Sequence, residues 1–373
     1  MELAPVRNEA FEQVLEVAQR RRMFHVLDVL RGIAAIMVVT LHNPYLWWWL
    51  NIPESFLAVD LFFVMSGFVI ANSYEDRLMS GASPMRFMAV RAIRLYPLYL
   101  LSLVLGIAAT ALNGIDDGWT RLPPTVAWLD GVVSALFMLP AIAVPQMINV
   151  RWSLTFEMAV NAVYGFLIRR LTTPVLLGIV AIAGAGLVRC SINHDTLSLG
   201  WRLGTLWVGS ARVCYSFFVG VLIFRLSKKR ARSSMMTVTL LLCMTVVVLG
   251  FSTSNRILRD VWELTAVLVV FPVIVWLAIG LEVSPIWRRI FAFLGLASYG
   301  VYIIHQPLSV LFAKLMTMLG APTHHPSPVF SLIYLALVIC GVWFLDRFYD
   351  FPVRRWLTTI LGPFKARPAT SRF

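Results

Sequence analysis

Charge is scarce in this 373-residue chain: Asp, Glu, Lys and Arg make up 14% of it, against 59% hydrophobic residues. With a mean hydropathy of +0.78, that scarcity excludes an ordinary soluble domain and leaves a polytopic membrane protein. Cysteine is scarce as well. Cys190, Cys214, Cys243 and Cys340 lie in or at the edges of apolar runs without C-x-x-C spacing, so buried free thiols are expected rather than disulfides or metal ligands. G-x-x-x-x-G-K-[ST], H-E-x-x-H and G-x-S-x-G are all missing, which removes the usual grounds for an ATPase, a zincin or a soluble-type hydrolase. No period of roughly 20–50 residues repeats, so a solenoid or propeller is not expected. The first 25 residues have no apolar core and carry Glu2, Glu9, Glu12 and Glu16. A cleavable signal peptide is therefore not expected, and the first helix serves as the insertion signal.

What remains is apolar, in runs at about 28–50, 55–73, 94–112, 125–145, 152–168, 174–189, 201–225, 234–250, 261–280, 291–316 and 327–345. The 32 basic residues give a formal charge of +13 and gather between these runs. That distribution reads as topology signal rather than nucleic-acid binding, although anionic lipid or a polyanionic ligand can use the same charges. If 125–145 crosses, then Arg169–Arg170, the SKKRAR run at 227–232, Arg288–Arg289 and Arg347–Arg355 all face outward. If it does not, all of them face the cytoplasm, as the positive-inside rule requires. Pro123, Pro124, Asp130, Pro140 and Pro145 also make 125–145 a poor span. The expected fold is thus all-α: a bundle of about ten transmembrane helices with both termini cytoplasmic and a re-entrant or peripheral segment near 125–145. Its parts are an interfacial segment at 1–25, a membrane domain at 26–352 and a short basic tail at 353–373.

Ionisable groups within the apolar runs are the candidates for chemistry, because such groups are costly in hydrocarbon and face a protein interior or a wet cavity. Arg31 and His42 lie eleven residues apart, about 16 Å and three helical turns, near one face. A membrane histidine can act as general base when a carboxylate fixes its tautomer; the bland alternative is an interhelical hydrogen bond. Glu157 is the favoured carboxylate. Asp60 also reads as a cap or helix-pairing residue, and Asp28 as the i,i+3 ion-pair partner of Arg31. Arg91 and Arg94, one turn apart at the expected cytoplasmic mouth, can grip phosphate bidentately or simply obey the positive-inside rule. Ser298, Tyr302 and His305 share a helix face that Pro307 is expected to loosen, and they line a channel or bind helices together. Trp47–Trp48–Trp49 with Tyr45 suit an outer aromatic belt or a sugar-stacking platform. His324 and His325 have no third ligand nearby, so no metal is expected.

Several of these stretches also resemble one family. Arg31 and His42 match an R-x10-H pattern, and LDVLRGIAAIMVV, AVDLFFVMSGFVI, VRAIRLYPLY at 90–99, RWSLTFE at 151–157 and LASYGVYIIHQPL at 296–308 follow in the expected order. Together they resemble the acyltransferase-3 family of integral membrane acyltransferases. The match departs from the family where WSLTFEMAVNAVY displaces an aromatic after Glu157, and where YDFPVRRW carries Asp350 instead of glutamate.

The resemblance implies transfer of an acyl group, acetyl above all, from cytoplasmic acyl-CoA to a carbohydrate or lipid-linked glycan hydroxyl at a bacterial inner membrane. On that reading His42 is the catalytic base, oriented by Glu157. Arg31, Arg91, Arg94, Tyr302 and His305 hold the CoA donor, while Asp60, Trp152, Ser153 and Tyr299 meet the acceptor. The rival is a proton-coupled transporter or flippase of a glycan precursor, with Arg31, His42 and Glu157 as a relay.

Overall fold

The computed structural model describes residues 24–50, 52–116, 125–139, 150–200, 202–227, 232–322 and 326–362. The segment expected at an interface before residue 24, the loop carrying His324 and His325, and the tail beyond residue 362 lie outside them.

Eight helices are long and apolar enough to cross a membrane. They are α1 (His25–His42), α2 (Ala58–Met79, entered through a 3-10 turn at Pro53–Leu57), α3 (Pro84–Asp116), α6 (Thr173–His194), α7 (Leu206–Leu226), α9 (Arg256–Ala278), α10 (Pro285–Met318) and α11 (Pro328–Leu345). Two shorter ones complete the ten expected spans. These are α5 (Arg151–Leu167, 17 residues) and α8 (Met235–Gly250, 16 residues), each about 25 Å long, near the hydrocarbon thickness. The helix in the doubtful segment, α4 (Thr125–Leu136), has 12 residues and spans only about 18 Å.

Two parallel pairings settle the path of the chain. On α2 and α7, Asp60 meets Arg212 and, one and a half dozen ångströms or so further along, Glu75 meets Arg225. Between them Gly67 faces the Phe217 carbonyl and Gly220 faces the Val64 carbonyl. Both helices therefore run the same way. Crossings by α3, α5 and α6 between them satisfy this, whereas an additional crossing by α4 reverses α7. Likewise α1 runs parallel to α10, with Asp28 against Gly295 at one end and His42 against His305 at the other. The charge argument and the packing thus agree that 125–145 does not span.

The α2–α7 crossing depends on its glycines, because a Cβ on Gly67 or Gly220 collides with backbone of the facing helix. Small residues let helices approach closely in a membrane, where dispersion and weak polar contacts replace the hydrophobic effect as glue. Gly220→Val is expected to cost about 1–3 kcal/mol through overpacking. Thermal unfolding in detergent should read this as a lowered midpoint, while Gly341→Val, which meets nothing within 4 Å, should unfold as wild type does.

Several boundaries differ from the sequence expectation. Helix α3 begins at Pro84 rather than near 94, since proline suits the first helical turn and Met85–Val90 continues an apolar pattern. Beyond α11 a π turn at Asp346–Asp350 leads into α12 (Phe351–Leu361), so the expected tail is helical to residue 361. Arg86 donates to the Leu361 carbonyl and pins α12 to α3. Of the free cysteines, Cys190 is buried but Cys243 and Cys340 are exposed, on helices whose outer faces are apolar. Trp48 and Trp49 are exposed whereas Trp47 is buried, so a belt of all three is excluded.

Candidate active site

Pro307 does not break α10, which continues to Met318. A proline cannot donate to the carbonyl four residues back, and that orphan, Ile303 O, accepts from Ser102 of α3 at 2.6 Å. Two residues on, Tyr334 of α11 donates to the His305 carbonyl. The helix is thereby tied to both neighbours around His305.

One cavity of about 230 Å³ opens between α1, α2, α3, α5 and α10. Its polar wall consists of Arg31, Ser66, Arg91, Arg94, Glu157, Ser298, Tyr299 and Tyr302; Val59, Phe62 and Phe63 supply the apolar side. Arg31 is held by Asp28 at 3.2 Å, in the space that side-chain-free Gly295 leaves. Because α3 starts early, Arg91 lies two turns inside it and reaches Glu157 at 3.2 Å. The same Glu157 oxygen accepts from Ser66 at 2.5 Å and from Asn161 at 3.4 Å. Arg94 stands over the Tyr299 ring, 5.8 Å from its centre, and no carboxylate lies within ion-pairing distance of it among the described residues. Tyr299 donates to Leu95 O at 2.6 Å. Ser153 gives its proton to Val150 O at 2.8 Å, so Tyr302 is the donor in their 2.6 Å contact.

His42 lies beyond this cavity, past Tyr302. Its ring is 5.3 Å from that of His305, and His305 is 6.4 Å from Tyr302. The expected His42–Glu157 contact is not formed. Glu157 sits level with Ser66, about 9 Å along α2 from Asp60, and is already engaged by Arg91; the partner of His42 is a second histidine.

Other expected site residues are placed elsewhere. Asp60 is fully buried and bound to Arg212 at 2.5 Å, outside the cavity wall, so it is unavailable to a sugar. Trp152 packs on Phe156 and under Arg212, whose guanidinium carbon lies 5.3 Å from its ring centre. Arg31, Arg91, Arg94, Ser153, Glu157, Tyr299 and Tyr302 are brought together around the cavity, as Ser298 is. Arg212 was not anticipated, although a lone arginine in the apolar run 206–226 is itself a signal. Ser66 carried no signal, since a membrane serine commonly bonds its own helix.

The arrangement is a polar cavity with three guanidiniums and one engaged carboxylate, and a histidine past its far end. It can bind a phosphate-bearing molecule at the arginines, because the buried Arg91 Nε has no partner and Arg94 has no counter-ion. No group of three His, Cys, Asp or Glu suited to a metal occurs among the described residues.

Known proteins give the arrangement a family. The acyltransferase-3 family model, described as an acyltransferase domain, matches residues 24–347. Protein 2 in picA locus of Rhizobium radiobacter is 36% identical over 154 residues, covering 38% of this chain and 80% of that protein. Exopolysaccharide production protein ExoZ of Rhizobium meliloti (strain 1021) is 34% identical over 140 residues, 35% of this chain and 41% of that protein. No solved structure matches. With helices built to span a membrane and a family match across most of its length, the chain is a multi-pass membrane protein that belongs to the acyltransferase-3 family.

Proposed function

We propose that this protein moves an acyl group, acetyl in the simplest case, from cytoplasmic acyl-CoA to a hydroxyl of a surface polysaccharide or its lipid-linked precursor at a bacterial inner membrane. The observation that carries the reading is the placement on one helix of Arg31 in the cavity and His42 past its far end. The relative named for exopolysaccharide production supports a carbohydrate acceptor. The basic end, where Arg31, Arg86, Arg225 and Arg354 gather, belongs in the cytoplasm by the positive-inside rule, the side on which CoA esters are found.

In this mechanism Arg31, Arg91 and Arg94 hold the CoA phosphates, and the thioester extends past Tyr302 toward His42. The acceptor hydroxyl loses its proton to His42 Nε2 as its oxygen attacks the thioester carbonyl. The C–O bond forms, the C–S bond breaks, and the proton passes to the leaving sulfur, which departs as CoA thiol.

Membranes containing the protein should transfer label from acetyl-CoA to the glycan fraction, and a non-hydrolysable CoA analogue should block this. A transporter ignores the analogue and leaves the glycan unlabelled, an outcome that overturns the proposal. Arg94→Gln is expected to raise KM for acetyl-CoA about 10–100-fold with kcat less affected. A lost charge-assisted hydrogen bond costs about 1.5–3 kcal/mol, and each 1.4 kcal/mol is about tenfold in affinity.

A further inference from the structure

The contacts of the two histidines permit one arrangement of protons. His42 Nδ1 lies 3.0 Å from Val38 O, and His305 Nδ1 lies 3.0 Å from Val301 O. Carbonyl oxygens only accept, so both Nδ1 atoms carry hydrogen. His305 Nε2 lies 3.4 Å from His42 Nδ1 and must be the acceptor in that contact. In the neutral pair His42 Nε2 is left as a lone pair, and it has no partner among the described residues.

We propose that His305 is a positioning residue for His42: it accepts from the Nδ1–H of that ring, fixes the tautomer and aims the Nε2 lone pair at the acceptor hydroxyl. This rests on the reading of His42 as general base. The opposite tautomer of His42 turns an Nδ1 lone pair toward both Val38 O and the His305 Nε2 lone pair, and repulsion from two acceptors disfavours it. The ring of His305 is itself immobilised. It is fully buried, its Nδ1 is taken by Val301 O, and its backbone is tied by Ser102 at Ile303 O and by Tyr334 at its own carbonyl. Both ring nitrogens are thus committed, which leaves His305 no free donor for CoA, contrary to the role expected of it.

A neutral histidine does here what a carboxylate does in a hydrolase triad, with one difference in consequence. It orients the base but supplies no negative charge to stabilise an imidazolium. His42 must therefore return its proton to the departing CoA sulfur within the same transfer, so that the charge on the ring is brief. The proton taken from the acceptor oxygen is the one that leaves on sulfur, and His42 ends neutral.

The test uses the full chain in nanodiscs, with ¹⁵N-labelled histidine. His42→Ala identifies the His42 signals, and His305→Ala and His305→Gln are compared with wild type. Wild-type His42 should show a protonated Nδ1. In His305→Ala the signal should move toward a mixture of tautomers, and kcat should fall about 10–100-fold, the range found when the outer partner of a functional histidine is removed. KM for acetyl-CoA should change less than about twofold, because no donor contact is lost. His305→Gln, whose amide oxygen can accept from Nδ1–H, should recover most of kcat.

A wild-type His42 protonated at Nε2 overturns the proposal without any variant. So does His305→Ala with an unchanged tautomer and kcat, or with a raised KM and unchanged kcat, which makes His305 a donor-site residue. If His42→Ala transfers acetyl as well as wild type, the reading of His42 as base falls instead, and the ring signals still score the contact with His305.

Discussion

His42→Ala is expected to lower kcat for acetyl transfer by about 10²–10⁴-fold, the usual worth of a positioned general base, without loss of folded protein. The structure makes these two effects separable. His42 is half-buried at the end of α1 and bonds only the Val38 carbonyl of its own helix and His305 at 3.4 Å. A single interhelical contact of that kind in a membrane protein is worth under about 2 kcal/mol, and many others hold α1 against α10. The measurement is label transferred from acetyl-CoA to extracted membrane glycans, at matched amounts of monodisperse protein. Loss of label at an unchanged unfolding midpoint supports general-base chemistry. Equal labelling removes His42 from the mechanism. A lowered midpoint with activity intact per folded molecule makes it a structural residue only.

The sequence carried the helices and the charges but not the partners. Ten spans were legible because apolar length and the sidedness of arginine clusters constrain a bilayer-spanning chain strongly, and the parallel α2–α7 pairing independently requires α4 to stay on one side. Helix starts were less legible. Arg86, Arg91 and Arg94 looked like a loop by charge, whereas Pro84 opens a helix that carries them inward, where Glu157 and the cavity receive them. Partner choice depends on rotation and depth, which composition leaves open. Glu157 and His42 seemed paired because each lacked another explanation. In the structure Arg91 supplies one for Glu157 and His305 the other for His42. His305 was visible as part of a polar face, but nothing in its spacing distinguished a face toward ligand from a face toward α1.

The second large effect is expected at the other buried charge pair. Arg212→Met should yield little folded protein, with a loss of about 3–5 kcal/mol, because removal of one member leaves a buried charge uncompensated. Every N–H of Arg212 has an acceptor: Asp60 at 3.1 and 2.5 Å, Leu197 O at 3.1 Å, Leu199 O at 3.2 Å and Phe56 O at 3.5 Å. One side chain thereby joins α2, α7, the turn into α2 and the segment before α7. Asp60→Leu should fail in the same way, since it strands the guanidinium. The double variant Asp60→Leu with Arg212→Met should regain part of the stability, because no charge remains to desolvate. It should not regain all, because the three carbonyls lose their donors at about 1–3 kcal/mol for each one left unsatisfied. Size-exclusion profiles and unfolding midpoints of the two single variants and the double one provide the cycle, and a non-additive rescue is the expected sign of the pair. The same experiment decides between this role and the acceptor-binding role that the sequence first implied for Asp60. A binding residue gives Asp60→Leu a normal midpoint with transfer lost, and the double variant then restores nothing.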